Sequence, residues 1–522
     1  MIHRSSDGDL DVPELDVTSF VLERAEALGE KPALIEGPSG RELSYAELAR
    51  ATRRLAAGLA SRGFGKGDVL GVFMPNIPEY AVAFHGAAAA GGMCTTMNPL
   101  YTAKEVAQQL EDSGARILLT VPAFLEAAAE AAERAGVKDV FVVGEAEGAL
   151  PFSELLGDPD EAPVDDPDPG SVAVLPYSSG TTGLPKGVML THRNLVANLS
   201  QIQVGSPIEA DDTVIGCLPF FHIYGMTVIM NQGLLVGATI VTMPRFDLEQ
   251  FLELIEVHGA TQLYVVPPIA LALAKHPAVD GRDLSTVRTI TCGAAPLGAE
   301  LADRVEERVG SSVIQGYGLT ETSPVTHLMR PHWENRPGSI GRPVPMNECR
   351  IIDPESGEDV DGAGERGELW IRGPQVMMGY LNNPEATAAT VDAEGWLHSG
   401  DIGTADADGF FRIVDRLKEL IKYKGFQVAP AELEALITTH PAVADVAVIG
   451  VADEEAGELP KAFVVPAGEE LDPDELMAWV AEQVSPQKRI RLVEAVEEIP
   501  KSPSGKILRR VLVERERAKA GA

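Results

Sequence analysis

Residues 177–190 read YSSGTTGLPKGVML and gather groups suited to holding phosphate oxygens. Gly180, Gly183 and Gly187 permit close backbone approach and positive φ. Ser178, Ser179, Thr181 and Thr182 set hydroxyl donors in a row, and Lys186 adds a point charge. Such a loop can wrap a polyphosphate with N–H and O–H donors. It is not a Walker A loop, and the chain has no GxGxxG dinucleotide fingerprint. By composition alone it could be a surface turn. An apolar stretch, SVAVLPYSS, leads into it and a helix-like one, THRNLVANL, follows, so the expected setting is strand–loop–helix.

Other residues able to do chemistry are spread along the chain. Glu321 follows an apolar strand in GYGLTE, Asp401 lies in LHSGD, and Arg416 is the second residue of the run DRLKELIKYKGFQV. His222 sits in LPFFHIYG and Lys506 in SPSGKI. Each alone has an ordinary structural reading: a solvated cap, a turn charge, a core histidine, a surface lysine. Together and in this order, the strings resemble the motif series of the adenylate-forming enzymes: acyl- and aryl-CoA synthetases, peptide-synthetase adenylation domains and luciferases. The segments LPFFHIYG, MPRFD, GAAPLG and YKGFQVAPAELE resemble most the 4-coumarate–CoA ligase and luciferase branch.

The resemblance implies a two-step reaction. A carboxylate is activated by ATP as an acyl-adenylate, and the thiol of coenzyme A (CoA) then displaces AMP. Negative charge develops on oxygens in both steps, so fixed donors and cations matter. By resemblance, Ser178–Gly183 and Lys186 hold the phosphates. Gln315, Gly316, Tyr317 and Thr320 line the adenylate site, and Asp401 and Arg416 meet the ribose. Glu321, with Thr181, is expected to hold Mg²⁺, an ion that favours one or two carboxylates plus phosphate oxygens. His222 is expected at the carboxylate pocket, and Tyr224, Ala294, Gly318, Pro324 and Val325 along the acyl pocket. Lys506 is expected to serve adenylation. Lys422 and Gln427, on the opposite face of a small C-terminal lid, would serve the thioester step. Lys418 matches the hinge, and Arg245, Lys424 and Gly425 match CoA contacts.

Two departures bear on specificity. Where plant coumarate ligases carry a cysteine in GEICIRG, this chain has GELWIRG with Trp370. That cysteine is not catalytic, so activity is expected to survive while plant-like specificity is weakened. FFHIYG has no acid to meet a substrate ammonium, and no carrier segment follows, which disfavours a peptide-synthetase module.

The elements that must position these residues alternate. Helices are expected over 16–60 around a short strand, Ala33–Glu36, with the helical string LSYAELARATRRLAAGLASRG stopping at Gly63. A strand follows at DVLGVFMPN, a small-residue helix at IPEYAVAFHGAAAAGG, and further strands at ARILLTV and KDVFVVG around AFLEAAAEAAERAG. A second such series runs from about 190 to 325, and short strands with turns occupy about 340–415. This predicts an α/β fold: a large N-terminal domain, 1–417, with two mixed α/β sheets and a small β-rich unit. A mobile α+β C-terminal lid, 418–522, completes it, with helices at 430–440 and 472–484 and strands at 443–451, 461–466 and 490–496.

Composition narrows the alternatives. The 522 residues include 43 Lys+Arg and 78 Asp+Glu, a net charge of −35, which argues against broad nucleic-acid binding. The four cysteines show no CxxC pairing, which fits a reducing compartment and excludes a zinc ribbon. Residues 213–244 carry no charged side chain but contain Pro219, His222, Asn231 and Gln232, so they read as buried core rather than a membrane span. No secretory signal is visible at the N-terminus and no peroxisomal address at the C-terminus. The expected protein is a cytoplasmic monomer or homodimer, a ligase using ATP, Mg²⁺ and CoA on a small carboxylic acid of the 4-coumarate type. The alternatives are a medium- or long-chain fatty acyl-CoA ligase and a non-catalytic nucleotide- or CoA-binding protein.

Overall fold

The computed structural model describes residues 1–520, apart from 164–167, 179–184, 207, 332, 334–335, 337, 361, 425, 454, 469–470 and 504. Two large sheets form most of the N-terminal part. One is eight-stranded, with Val172–Ser178, Met93–Thr96, Val69–Phe73, Ala115–Thr120, Asp139–Val142 and Leu150–Pro151 as parallel neighbours. The other is nine-stranded. Its parallel centre is Ser312–Gly318, Thr289–Cys292, Gln262–Val265, Thr213–Gly216, Thr239–Thr242 and Pro32–Glu36. Central strands buried on both faces need near-continuous apolar runs, and Val69–Phe73 (VLGVF) is buried throughout.

Helix Pro78–Ala89 lies between these sheets. Its side chains are small and ten of its twelve residues are buried, so it joins Leu70 and Val174 of one sheet to Leu34 and Ile240 of the other in a single core. Helix Tyr45–Ser61 packs beside it and starts at a capping box formed by Ser44 and Glu47. A third, antiparallel sheet holds His3–Arg4, Glu348–Ile352, Gly367–Arg372, Leu397–Ala405 and Phe411–Arg416.

After Arg416 the chain builds a fourth sheet. Strands Phe426–Val428, Ile421–Tyr423, Gly457–Pro466 and Val443–Asp453 pair antiparallel, and Leu492–Ala495 adds in parallel. It has its own core, with Ile421, Leu433, Val446, Val464 and Val480. Helices Pro430–Ile437, Pro473–Gln483 and Arg509–Ala520 accompany it.

The expected strand–loop–helix around the phosphate loop is corrected. Lys186–Thr191 is a strand, paired antiparallel with Val172–Ser178, and only then does helix His192–Gly205 begin. Val188 and Leu190 are fully buried, so this segment pays into the sheet's apolar face before the Thr191 cap turns it. Strand Met93–Thr96, helix Ala103–Ser113 and the final helix Arg509–Ala520 also lie outside the elements expected from pattern. The charge-free stretch holds a π-helix, Tyr224–Asn231, continuing into helix Gln232–Val236. Among the described residues no helix is long and apolar enough to cross a membrane.

Candidate active site

A cleft of about 2,700 Å³ opens between the N-terminal sheets and the C-terminal unit. Asp401 is set in its wall and only 4% exposed. Tyr317 Oη donates to Asp401 Oδ2 at 2.6 Å, and Arg416 Nε lies 3.2 Å from Oδ1. Asp401 and Arg416 are directly opposite each other on strands Leu397–Ala405 and Phe411–Arg416. Burial, with the Asp401 carboxylate adding, pushes the Tyr317 phenol well up, so it stays a donor. The turn carrying Asp401 is braced from behind. Gly400 N–H donates to Glu368 Oε1 at 2.9 Å, and Trp370 Nε1 donates to Glu368 Oε2 at 3.0 Å. Trp370 also stacks on His398 with ring centres 3.8 Å apart.

The strand Ser312–Gly318 brings Gln315, Gly316, Tyr317 and Gly318 to the cleft. Gln315 fixes the neighbouring loop: its Oε1 accepts Leu297 N–H at 2.9 Å and its Nε2 donates to Leu297 O at 3.3 Å. Ala294, in that loop, takes a left-handed φ of 70°. Thr320 and Glu321 follow on a single 3₁₀ turn. Glu321 Oε1 accepts the Tyr380 hydroxyl at 2.8 Å, and Lys186 Nζ stands 4.7 Å above the Tyr380 ring. Tyr380 was not among the residues expected from sequence. It sits on the short strand Gly379–Tyr380 beside Lys186–Thr191, a pairing that no local string reveals.

Ser178 and Lys186 are cross-strand partners at the base of the phosphate loop. Ser179, Gly180, Thr181, Thr182 and Gly183 lie outside the described residues. Among the described residues no group of three or more His, Cys, Asp or Glu could cage a metal. The donors instead suit Mg²⁺ held jointly with substrate phosphates: Glu321 has one carboxylate oxygen engaged by Tyr380, and the other has no hydrogen bond among the described residues.

His222 lies within electrostatic reach of Lys506. Burial, with the Lys506 charge adding, pushes its pKa down to about 3, so the ring is neutral. Its Nδ1 accepts Tyr224 N–H at 3.3 Å, which places the proton on Nε2. Tyr224 donates its hydroxyl to Thr291 O at 3.2 Å and packs its ring against Gly293. Gly318 must be glycine, since a Cβ there would lie 1.8 Å from Pro324 O. Val325 is paired with Gly318 and clamped by Asn198, which accepts its N–H at 3.0 Å and donates to its carbonyl at 2.7 Å. Tyr224, Pro324 and Val325 thus form a layer directly behind the Ala294–Gly318 wall.

From the C-terminal unit, the turn Ser502–Lys506 enters the cleft. Ser502 N–H donates to Lys506 O at 2.8 Å and Lys506 N–H donates to Ser502 Oγ at 3.1 Å. Gly505 approaches so closely that a Cβ would sit 2.8 Å from Val266 Cγ2. Lys506 is half-buried. Burial lowers its pKa, with Arg416 adding, while Asp401, Glu321 and Glu419 oppose. It forms no ion pair among the described residues.

Lys422 and Gln427 face each other across the hairpin Ile421–Tyr423/Phe426–Val428 and are exposed. Lys424 is exposed at φ 48°, Arg245 is exposed in the loop after Thr239–Thr242, and Gly425 lies outside the described residues. None of Lys422, Lys424, Gln427 or Arg245 lines the cleft that holds Lys506. Lys418 is exposed at the cleft rim, in the turn 417–419.

A large cleft walled by Asp401, Tyr317 and Arg416, lined also by Lys186, and entered by a lysine without an ion pair among the described residues, fits an adenylate-forming ligase. The AMP-binding enzyme family matches residues 21–381, and the AMP-binding enzyme C-terminal domain matches residues 432–506, so the chain belongs to this family. It is 44% identical over 98% of its length to 4-coumarate–CoA ligase 3 of Oryza sativa subsp. japonica, covering 94% of that protein. It is 45% identical to 4-coumarate–CoA ligase 1 of Solanum tuberosum, covering 98% of this chain and 96% of that one. Among solved structures, the anthranilate CoA ligase AuaEII with anthranoyl-AMP superposes at a TM-score of 0.90 and 27% identity, covering 98% of this chain and 99% of that one. A benzoate CoA ligase from Burkholderia xenovorans LB400 gives 0.85 and 28%, with 95% and 99% covered. The protein is an AMP-forming acid–thiol ligase.

Proposed function

We propose that this ligase activates an aryl acid of the 4-coumarate type and does so with the C-terminal unit, 418–522, as a lid turning about Lys418. The observation that carries the reading is Lys506: half-buried in the cleft, near Asp401, Arg416 and Glu321, with no acid paired to it among the described residues. A cation held there without a partner is suited to an incoming anion.

The carboxylate substrate would lie between His222 Nε2–H and Lys506, which neutralise and orient it for attack on the α-phosphorus of ATP. Asp401 accepts the ribose hydroxyls, and Arg416 steadies Asp401 beside the phosphates. Lys186 and the loop hydroxyls cradle the phosphates, and Glu321, with Thr181, would hold Mg²⁺, whose contribution is neutralisation of phosphate charge. Pyrophosphate leaves and the acyl-adenylate remains. For the second step the lid turns, withdrawing Lys506 and bringing Lys422 and Gln427 to the cleft, with Arg245, Lys424 and Gly425 toward CoA. The CoA sulfur attacks the acyl carbon, its proton is lost, and AMP departs. The aryl preference is supported by the edge-on Tyr224–Tyr264 ring pair behind the wall and by the substrates named for the relatives. The reaction needs no membrane, and we place it in the cytoplasm.

A panel of 4-coumarate, benzoate and octanoate, read as kcat/KM for AMP and thioester formation, tests this. The expected order puts 4-coumarate first by at least about tenfold. Octanoate in first place would replace the aryl reading with a fatty acyl one, and acid-independent AMP release would remove both.

A further inference from the structure

One helix of the N-terminal part touches the lid at both of its ends. At the start of Pro267–Lys275, Val266 and Pro268 receive Gly505, the neighbour of Lys506. At the other end, Lys275 Nζ donates to Thr438 O at 2.9 Å and to Val443 O at 3.3 Å, both in the lid. These carbonyls are ones the lid leaves open. Thr438 closes helix Pro430–Ile437, whose last carbonyls have no intrahelical donor. Val443 starts the edge strand Val443–Asp453. Ala467 N–H donates to Ala442 O at 2.9 Å, so Val443 and Pro466 are the next, non-hydrogen-bonded pair and the Val443 carbonyl points away from the ladder. A cation is also favoured at a helix C-terminus.

Lys275 is half-buried and makes no ion pair among the described residues, so its charge is spent on the lid backbone. Burial lowers its pKa, Arg304 adds to that, and Glu300 opposes. Two other polar contacts among the described residues reach the first turn of the same lid helix. Ala431 N–H donates to Asp415 Oδ2 at 2.8 Å, next to the hinge, and Arg366 pairs with Glu432 between more exposed side chains that solvent screens.

We infer that Lys275 is a positioning residue for adenylation: with the Val266–Pro268 seat, it mounts the lid at two points so that Lys506 faces Asp401 and Arg416. The nine-residue helix between the two mounts spans about 13 Å, which gives the mount leverage over the lid's angle. Once the adenylate has formed, the Lys275 bonds must break for the lid to turn. They hold only the first pose and should leave the second step untouched. The inference rests on the lid reading above.

The test uses the whole protein, with 4-coumarate or whichever panel acid the unaltered protein activates fastest. Adenylation is read as acid-dependent pyrophosphate release. The thioester step is read from synthetic acyl-adenylate plus CoA. Lys275→Met, which keeps the stem and removes the charge, should slow adenylation about tenfold and leave the thioester step within about twofold. Lys275→Arg should restore most of the loss. Melting temperatures report folding, and Lys275→Gln, read the same way, replaces a Met variant that melts early. Equal loss in both steps at unchanged melting, or no loss in either, overturns the inference. Lys506→Ala is run alongside: if it fails to separate the two steps, the lid reading itself falls, whereas separation by Lys506→Ala but not by Lys275→Met removes the mount alone.

Discussion

The cleft wall and the lid that covers it are built on different principles. The wall is complete in itself. Asp401 is buried, bonded to Tyr317 and Arg416, and its turn is braced through Glu368 by Trp370. The lid commits many of its basic residues to its own acids, among them Lys461 to Glu494 and Glu516, Lys501 to Asp445, Lys488 to Glu432, and Arg509 to Glu419 and Glu434. Lys506 in the cleft and Lys422 outside it are left without such pairs among the described residues. On the proposed reading, a chain with a net charge of −35 would meet its anionic substrates through a prebuilt wall and a few uncommitted lid cations. The bulk acidity keeps the outer surface soluble and says little about the site.

The largest expected effect would come from breaking the wall. Asp401→Ala strands Arg416 and the Tyr317 hydroxyl without their partner, which should cost about 3 kcal/mol of stability. It should also weaken ATP use at least about a hundredfold, seen as a raised KM for ATP with melting followed in parallel. A variant with normal ATP affinity would remove the wall from the comparison.

A smaller effect concerns the bond between Tyr380 and Glu321. Tyr380→Phe removes one neutral-to-charged hydrogen bond, expected to be worth about 1.5–3 kcal/mol, and should raise the Mg²⁺ concentration needed for half-maximal pyrophosphate release. Unchanged Mg²⁺ dependence would leave Tyr380 as packing.

The junction between wall and lid should respond to pH. Asp415 is buried, accepts N–H bonds from Arg416 at 2.7 Å and Ala431 at 2.8 Å, and faces Arg509 and Glu434. Burial lifts its carboxyl to about 7 despite the Arg509 charge. An acid raised on folding loses its proton first in the unfolded chain. Its contribution to stability is therefore present at low pH, falls as pH rises from about 4 to about 7, and is flat above. Asp415→Asn should lose this slope, and melting of the unaltered protein between pH 5 and 7 should drop about 3 °C more than that of the variant. Parallel curves would show that Asp415 does not titrate there.

The smallest effect is expected at Trp370→Cys, which removes the stack on His398 and the bond to Glu368 but leaves Glu368 bonded to Gly400. A change in ATP KM of about twofold to fivefold fits a brace one step removed from Asp401. Loss comparable with Asp401→Ala would make Trp370 part of the wall itself.

The sequence made legible what lies in contiguous strings: the motif series, the alternating elements and the placing of Asp401, Arg416, Gln315 and Lys506 at one cleft. Contacts that join distant strings were not legible. Tyr380 reaches Glu321 across 59 residues and Lys275 reaches Thr438 across 163. Neither tyrosine nor lysine carries a local mark of that role. The strand Lys186–Thr191 was hidden by the glycine-rich run that precedes it, although Val188 and Leu190 alternate as a half-buried strand should. Helix Ala103–Ser113 did carry a signal, the Thr102–Glu105 capping box, which composition around it obscured.

The central claim is that one small unit offers two catalytic faces in turn, with the Lys506 face now in the cleft and the Lys422–Gln427 face outside. The most direct test measures both half-reactions on Lys506→Ala and Lys422→Ala in a single series. A crossover is predicted: Lys506→Ala loses adenylation by about a hundredfold or more and keeps thioester formation from supplied adenylate, while Lys422→Ala shows the reverse bias. Parallel losses in both half-reactions for both variants would contradict it.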